Sequence, residues 1–286
     1  MKVVILGGTG FIGTALSRKM RLAGMVVNSY GRIAFDSIET LKSILEGADV
    51  LVMLAGVNIG ERWTTKHKRA IWDSRLKTNA ILATALNELR SPPKRIFSAS
   101  AVGIYPQNDC GHPIDETCLQ VGQSELGILG SAWEQASRGL SPEPVIMRFG
   151  VVLEKHGGAL AKMLTPFKMG VGGPVAGGQQ CMSWIHLDDL CEAVLFLIND
   201  PHSSGVYNLC APAPVSNREF GATLAEVLHR PFWLPLPAWL LKIVFGEGAQ
   251  VLTHSSAVIP KRLLAAGFGF RYPSVQRAMQ SIVDGK

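Results

Sequence analysis

The sequence has few cysteines, and their spacing matches no common metal-binding pattern. None of the five forms a Cys-x-x-Cys pair; they are Cys110, Cys118, Cys181, Cys191 and Cys210. Since an odd number cannot all pair within one chain, we expect reduced thiols, no metal centre and a cytoplasmic location.

Long apolar runs and blocks of like charge are also missing. A membrane-spanning helix needs roughly 18–20 apolar residues. The apolar run that comes nearest to this length, over residues 233–246, is interrupted by Pro235, Pro237 and Lys242. The net charge of +6 is spread along the chain, which predicts neither a nucleic-acid nor a membrane partner and is compatible with a phosphate-bearing small molecule. The oligomeric state is left open.

What the sequence does contain is a glycine-rich turn at its start. An apolar run over residues 3–6 meets Gly7, Gly10 and Gly13, and a helical pattern of apolar residues follows. A strand, a tight turn and a helix in this order bring backbone N–H groups and a helix N-terminus close to a pyrophosphate. The pattern predicts dinucleotide binding, and the alternative is a purely structural turn.

The end of the second predicted strand, over residues 26–30, bears on the type of cofactor. An NAD site has an acidic residue there to accept from the ribose 2′-hydroxyl. Between Arg21 and Phe35 the chain has no acid, but it has Arg32, which can bind a 2′-phosphate. This favours NADP, unless Arg32 is an ordinary surface arginine.

Strand and helix patterns alternate through the first two-thirds of the chain. Further strands are predicted over residues 49–55, 94–100, 145–152 and 206–210, with helices between them. This alternation predicts an α/β fold with a doubly wound parallel sheet. Since prolines and short helical patterns follow residue 230, we predict a Rossmann domain over residues 1–234 and a small, mainly helical domain over 235–286.

Several motifs carry a family resemblance. The glycine turn, Leu54-Ala55-Gly56, the stretch from Ser98 to Tyr105 and residues 147–152 resemble the extended short-chain dehydrogenase/reductase superfamily, which includes nucleotide-sugar epimerases. Residues 62–64, 172–177 and 184–189 resemble its uncharacterised "epimerase family" subgroup, whose C-terminal domain has no known function. The resemblance implies a Rossmann fold, NADP(H) binding and a substrate cleft beside the C-terminal part.

The resemblance also implies a set of cofactor-binding residues. They comprise the glycine turn, the end of the second strand and the ends of the two strands that follow: Gly7, Thr9, Gly10, Phe11, Ile12, Gly13, Arg32, Leu54, Ala55, Gly56 and Ser98.

The usual catalytic pair of this superfamily, Tyr-x-x-x-Lys on one helix face, is missing. The i, i+4 spacing lets the lysine lower the pKa of the tyrosine so that the phenol can exchange protons. When Glu134 is aligned with the family's helix glutamate, Leu126 and Gly130 occupy the two positions. None of the four tyrosines has a lysine four residues later.

Three residues are candidates for a replacement acid/base. Ser100 ends a predicted strand, Tyr105 follows in the same loop, and His186 ends another strand and titrates near pH 7. Each has a structural alternative: a serine bonded to backbone, a packed loop residue, and a buried histidine bonded to Asp188 or Asp189, which we expect to cap or charge the next helix.

Two arginines and one loop complete the candidate site. Arg75 and Arg148 can hold an anionic or hydroxylated substrate, or form interior ion pairs with Asp73 or Glu134. The glycine-rich residues 170–178 form a lid or simply turn tightly. The sequence therefore supports two hypotheses: an oxidoreductase or epimerase for a small, sugar-like substrate, and a non-catalytic NADP(H) sensor that regulates a partner.

Overall fold

The computed structural model describes residues 1–285, apart from the side chain of Val244. Its centre is a six-stranded parallel sheet, in the spatial order β2-β1-β3-β4-β5-β9. These strands are β1 (Lys2–Leu6), β2 (Val26–Tyr30), β3 (Val50–Met53), β4 (Arg95–Ala101), β5 (Val145–Phe149) and β9 (Val206–Leu209). The predicted doubly wound parallel sheet is confirmed.

Helices cover both faces of this sheet, because its strands are apolar on both sides. They are α1 (Phe11–Leu22), α2 (Ile38–Leu45), α3 (Thr65–Asn87), α4 (Glu125–Arg138) and α6 (Leu187–Asn199). One face buries Leu16 and Met20 of α1 together with α6. The opposite face buries Leu41 of α2 and Leu82 of α3.

The strand predicted over residues 145–152 is wrong in one respect, because it is divided at Gly150. Beyond the glycine, β6 (Val151–Leu153) leaves the main sheet and pairs with β8 (Trp184–His186). A Cβ atom at Gly150 would lie 2.9 Å from the carbonyl oxygen of Ser183. The close approach of the neighbouring chain segment therefore both requires the glycine and diverts the strand.

The remaining helices and short strands lie in the second half of the chain. They are α5 (Gly158–Lys168), β7 (Cys181–Met182), β10 (Val215–Ser216), α7 (Asn217–Val227), α8 (Ala238–Phe245), α9 (Gln250–Thr253), α10 (Lys261–Ala265) and α11 (Val275–Asp284). Helix α5 contacts β6, whereas α10 packs on β9 of the main sheet. The C-terminal part is mainly helical, as predicted. Met279 and Ile282 of α11 pack with Phe220 and Leu224 of α7. The boundary at residue 235 stays a prediction.

The expectation that all cysteines are reduced is wrong. Cys110 and Cys181, which are 71 residues apart in the sequence, form a disulfide, whereas Cys118, Cys191 and Cys210 are free. An odd count only guarantees that one thiol is left over, and it does not exclude a pair that folding brings together. Within the described residues, every helix is too short or too polar to cross a bilayer.

Candidate functional site

The glycine turn connects β1 to α1 and packs against the loop that follows β3. Gly7 has a φ of +85°, and a Cβ atom there would lie 2.7 Å from the backbone of Leu54 and of Ala55. A Cβ at Gly13 would collide with the carbonyl oxygen of Gly7. These two glycines are therefore required by the close packing of backbone segments.

Gly10 is different, because it is not enclosed by packed backbone segments. It is exposed, and a Cβ atom there would meet only the carbonyl oxygen of Gly7, at 3.2 Å. Gly10 is also the N-cap of α1, and it supplies no side-chain cap. The first turn of α1 contains no acidic residue. The helix N-terminus therefore offers N–H groups and positive potential to an anion beside Gly10.

Arg32 lies where β2 ends, at the start of a 3-10 helix over Arg32–Phe35. Its side chain is exposed and makes no ion pair with the described residues. Gly31 lies against the side chain of Thr9, whose Oγ1 would be 2.7 Å from a Cβ atom at Gly31. The backbone before Arg32 thus lies beside the glycine turn, and the exposed side chain of Arg32 is open to solvent.

Arg75 reaches the same edge of the sheet from α3. Its side chain is 8% exposed, and its Cζ would lie 3.4 Å from a Cβ atom on Gly56, next to Leu54 and Ala55. The guanidinium lies 4.7 Å above the ring of Trp133. Nη1 donates to the carbonyl oxygen of Ile71 at 3.0 Å.

The charge of Arg75 has no carboxylate partner among the described residues. Asp73 contacts Lys77 at 2.8 Å, so the alternative of an interior ion pair between Arg75 and Asp73 is not realised. Burial lowers the pKa of Arg75 to about 10, which leaves the group charged at neutral pH. Its Nε is buried without a hydrogen-bond partner. A buried cation without an anion is costly unless a ligand supplies the missing charge.

Ser98 and Ser100, both on β4, point towards α4. Ser98 is fully buried, and its Oγ lies 3.0 Å from Ser137 Oγ. Ser100 donates to Glu134 Oε1 at 2.7 Å. Glu134 in turn accepts two hydrogen bonds from Arg148, at 2.7 and 2.8 Å. Of the two alternatives for Arg148, the interior ion pair with Glu134 is therefore present, and Ser100 bonds to a carboxylate rather than to backbone.

Tyr105 is enclosed by protein. Its side chain is 0% exposed, and its hydroxyl donates to Asn208 Oδ1 at 3.0 Å. Its ring packs on Arg148, with 4.7 Å from the ring centroid to Cζ. Burial raises the pKa of the phenol. These contacts agree with the alternative in which Tyr105 is a packed loop residue. Asn208 was missed by the sequence analysis, because no local pattern marks a strand asparagine as the partner of a distant tyrosine.

His186 is the N-cap of α6, and Asp188 and Asp189 lie in the first turn of that helix. Of the two roles expected for these acids, they therefore charge the N-terminus and do not cap it. Its Nδ1 accepts from the backbone N–H of Asp188 at 3.0 Å, and its ring centroid lies 3.9 Å from that of Tyr272. Burial lowers the pKa of His186 to about 4. The imidazole is therefore neutral at pH 7. It is held in the β6–β8 layer rather than at the edge of the main sheet.

The segment that follows β4 packs against Leu126 and Gly130, the residues at the two positions of the missing catalytic pair. A Cβ atom on Gly103 would lie 3.5 Å from Leu126 Cβ. A Cβ atom on Gly130 would lie 3.0 Å from Ile104 Cβ. The chain after β4 thus packs directly on α4, and a lysine at position 130 would have to displace it.

The glycine-rich residues 170–178 serve close packing, and so does a second glycine pair, Gly157 and Gly158, at the start of α5. A Cβ atom at Gly157 would collide with the ring of Phe11, which places the start of α5 beside the glycine turn. A Cβ atom at Gly173 would collide with the carbonyl oxygen of Leu234. These contacts explain why both positions are glycine, and movement of a lid stays a prediction.

Two family models match the chain. The NAD dependent epimerase/dehydratase family matches residues 3–124, and a domain of unknown function, DUF1731, matches residues 236–282. The epimerase family protein SDR39U1 of Mus musculus is 36% identical over 99% of this chain and 100% of its own length. An epimerase family protein of Staphylococcus aureus is 32% identical, with 98% of both chains covered.

Solved structures agree with the sequence comparisons. The crystal structure of human SDR39U1 with NADPH superimposes with a TM-score of 0.90, at 32% identity and 100% coverage of both chains. A nucleoside-diphosphate sugar epimerase from Corynebacterium glutamicum superimposes with a TM-score of 0.80 at 27% identity, and 59% of that chain is covered. UDP-glucose 4-epimerase of Thermus thermophilus, in complex with NAD, gives 0.78 at 17% identity, which indicates the fold alone.

Proposed function

The chain belongs to the epimerase family that includes SDR39U1, and from this premise we propose that it is an NADP(H)-dependent oxidoreductase or epimerase. It would transfer hydride between the cofactor and a small, sugar-like substrate that carries a hydroxyl or carbonyl group. The similar human protein was crystallised with NADPH, which supports the choice of cofactor.

The observation that carries the proposal is an open anion site with two unpaired arginines. The exposed Gly10 at the N-terminus of α1 leaves room that a side chain would fill, and Arg32 and Arg75 have no carboxylate partner among the described residues. NADP(H) carries a pyrophosphate and a 2′-phosphate, so its charges match this set. When bound, the cofactor would accept or donate the hydride.

Ser100 is the residue that we propose to exchange the proton. Because its hydrogen is donated to Glu134, its lone pairs remain to accept a hydrogen bond from a substrate hydroxyl. As that alcohol loses hydride to the cofactor, its proton would pass to Ser100 Oγ, and the Ser100 proton would pass to Glu134 Oε1. Ser100 is itself only 2% exposed, but it lies near the end of β4 in the main sheet. Tyr105 is 0% exposed and His186 lies in the β6–β8 pair, so we regard these two as weaker candidates.

The alternative function is a non-catalytic NADP(H) sensor. The packing of Gly103 and Ile104 over Leu126 and Gly130 favours it, since the space of the usual catalytic pair is occupied by protein. Both functions use the same cofactor site, but only the enzyme converts a substrate.

Cofactor choice is tested by calorimetric titration of NADPH and NADH. We expect tighter binding of NADPH, and Arg32→Ala should weaken NADPH by roughly 1–3 kcal/mol, the value of a lost charge-assisted contact. NADH affinity should stay unchanged. Arg277→Ala, which removes an exposed arginine of α11, is the control. Equal affinities of the wild-type protein for both cofactors would contradict the proposal.

Catalysis is tested by NADPH oxidation with a panel of keto sugars and small ketones. Multiple turnovers would support an oxidoreductase. Since an epimerase returns the hydride to its substrate and consumes no net NADPH, the same sugars are also examined for epimer formation by NMR. Cofactor binding with neither reaction would support the sensor. If turnover occurs, Ser100→Ala should lower kcat by about 10²–10⁴-fold with cofactor affinity intact. Tyr105→Phe and His186→Ala should have smaller effects. Turnover that survives all three substitutions would refute the proposed acid/base.

A further inference from the structure

A group of large apolar side chains is exposed in the second half of the chain, and nothing above gives it a role. Single exposed apolar residues are common on proteins, whereas neighbouring ones mark an interaction site. We call this group the apolar surface. Its members come from the loop after α5, from the segment before α8 and from α8 itself: Met169, Val171, Trp233, Leu234, Trp239 and Ile243.

Backbone contacts bring the three segments together. The N–H groups of Trp233 and Leu234 both donate to the carbonyl oxygen of Gly172, at 3.0 and 3.1 Å. The two loop segments therefore run side by side. Ala176, further along the first segment, lines one cavity together with Ala238 of α8, so this helix lies beside the paired segments.

The side chains of the apolar surface protrude into solvent. Met169 is 73% exposed, Trp233 and Trp239 are each 63% exposed, and Ile243 is 60% exposed. Trp239 and Ile243 are four residues apart on α8 and share one face, whereas Leu241 is buried. Seven of the eight residues of α8 are apolar, and a helix of this composition is normally enclosed by protein or by lipid.

The segments that carry the apolar surface have charge of one sign. Residues 157–180 and 229–246 contain no aspartate or glutamate. Lys168 and Arg230 are exposed, and Arg230 Nε donates to the carbonyl oxygen of Lys168 at 2.9 Å, which places both cations beside Met169. Neither cation forms an ion pair with a described side chain, although Glu226 of α7 is exposed nearby in the sequence. Positive charge therefore borders the protruding apolar groups.

We propose that the apolar surface docks the protein on a membrane that contains anionic lipids. Tryptophan favours the boundary between headgroups and acyl chains, where the apolar face of a short helix inserts while nearby lysine and arginine contact anionic headgroups. A fluid bilayer accepts protruding side chains without a complementary pocket. With eight residues α8 is too short to span a bilayer, so the contact is peripheral.

A second copy of this chain fits the apolar surface less well. A two-fold contact places the same patch on both subunits, which would bring the cations of two identical surfaces together. The sequence analysis predicted no membrane partner because no long apolar run or block of charge is present. The apolar surface needs neither, since it joins residues that are 63 positions apart, such as Gly170 and Trp233.

The test is cosedimentation of the full-length protein with vesicles made of equal parts phosphatidylcholine and phosphatidylglycerol. Vesicles of phosphatidylcholine alone are the control. We expect the mixed vesicles to bind the protein roughly tenfold or more tightly than the control, and we expect high salt to weaken this binding.

One pair of substitutions tests the apolar contacts. Trp239→Ser combined with Ile243→Ser should weaken binding to the mixed vesicles roughly tenfold or more. Leu22→Ser combined with Leu119→Ser removes two exposed apolar side chains elsewhere and should bind as the wild-type protein does. Thermal unfolding of each variant checks that the fold is kept.

A second pair tests the charges. Lys168→Gln combined with Arg230→Gln should also weaken binding roughly tenfold or more and should reduce its dependence on salt. Lys66→Gln combined with Arg277→Gln removes two exposed cations outside the apolar surface and should have a much smaller effect.

Tryptophan fluorescence separates insertion from adsorption by charge alone. Lipids with brominated acyl chains should quench the wild-type protein, and Trp233→Phe combined with Trp239→Phe should abolish this quenching while binding persists. The other four tryptophans are buried or half-buried: Trp63, Trp72, Trp133 and Trp184.

The proposal is overturned if the mixed vesicles bind no protein, if phosphatidylcholine alone binds it equally well, or if neither pair of substitutions weakens binding. Analytical ultracentrifugation without lipid examines the second copy. A dimer that Trp239→Ser with Ile243→Ser dissociates, together with no vesicle binding, would assign the apolar surface to self-association and reject the proposal. Vesicle binding needs no cofactor, so its outcome is independent of the proposed function.

Discussion

The cap of helix α6 makes the stability of this protein depend on pH. His186 is 6% exposed, and its Nδ1 can accept from the N–H of Asp188 only while that nitrogen is unprotonated. Burial lowers the pKa of the imidazole to about 4, and Arg271 lowers it further, while Asp188 and Glu154 act in the opposite direction. Acidification should therefore charge this ring in the unfolded chain well before it does so in the folded protein.

The sign and size of the effect follow from the two pKa values. Between the folded pKa of about 4 and the ordinary value of about 6.5, the unfolded chain binds more protons at this site, so stability falls as the pH falls. From pH 7 to pH 5 the loss due to His186 is about 2 kcal/mol, and at pH 4 it reaches about 3 kcal/mol.

The measurement is urea unfolding at pH 7 and pH 5 for the wild-type protein and His186→Asn. Asparagine keeps a side-chain acceptor at the N-cap but does not titrate. The wild-type protein should lose about 2 kcal/mol more than the variant between the two pH values. His254 also has a pKa lowered by burial and is present in both proteins, so its effect cancels. Equal losses would refute the assignment of His186 as a neutral cap.

Three further predictions concern the turn, the helix α4 and the disulfide. Gly10→Val should reduce NADPH affinity at least tenfold, because the added side chain enters the anion site, with only a small loss of thermal stability from its contact with the carbonyl oxygen of Gly7 at 3.2 Å; Gly269→Val, which meets no atom within 4 Å, should bind normally. Gly130→Ala should cost about 1–3 kcal/mol in urea unfolding, since its Cβ would lie 3.0 Å from that of Ile104, and a neutral effect would contradict the packing described. Thiol titration of the unfolded protein should find three free thiols before reduction and five after it. Reduction should lower the free energy of unfolding by roughly 2–4 kcal/mol, and five thiols before reduction would exclude the disulfide.

The sequence alone determined those features that depend on residues close together in the chain. The strand, glycine turn and helix at residues 3–22 are contiguous, and Gly13 is explained by contacts within the turn itself, whereas Gly7 also packs on the distant loop after β3. The lack of an acid beside Arg32 and the absence of the Tyr-x-x-x-Lys pair are likewise local facts. The alternation of strands and helices predicted the parallel sheet, because a parallel connection needs a crossover helix.

Only the tertiary structure decided how distant groups pair. The strand around residue 150 is divided because Ser183 approaches Gly150, and Cys110 meets Cys181 across 71 residues of sequence. Asp73 is two residues from Arg75 in the sequence, but on a helix such residues lie on different faces, so Asp73 pairs with Lys77 and leaves Arg75 unpaired. Likewise, no sequence pattern could show that Tyr105 and His186 are enclosed by protein. Periodicity fixes the direction of a side chain within its element, whereas packing between elements decides which atoms it contacts.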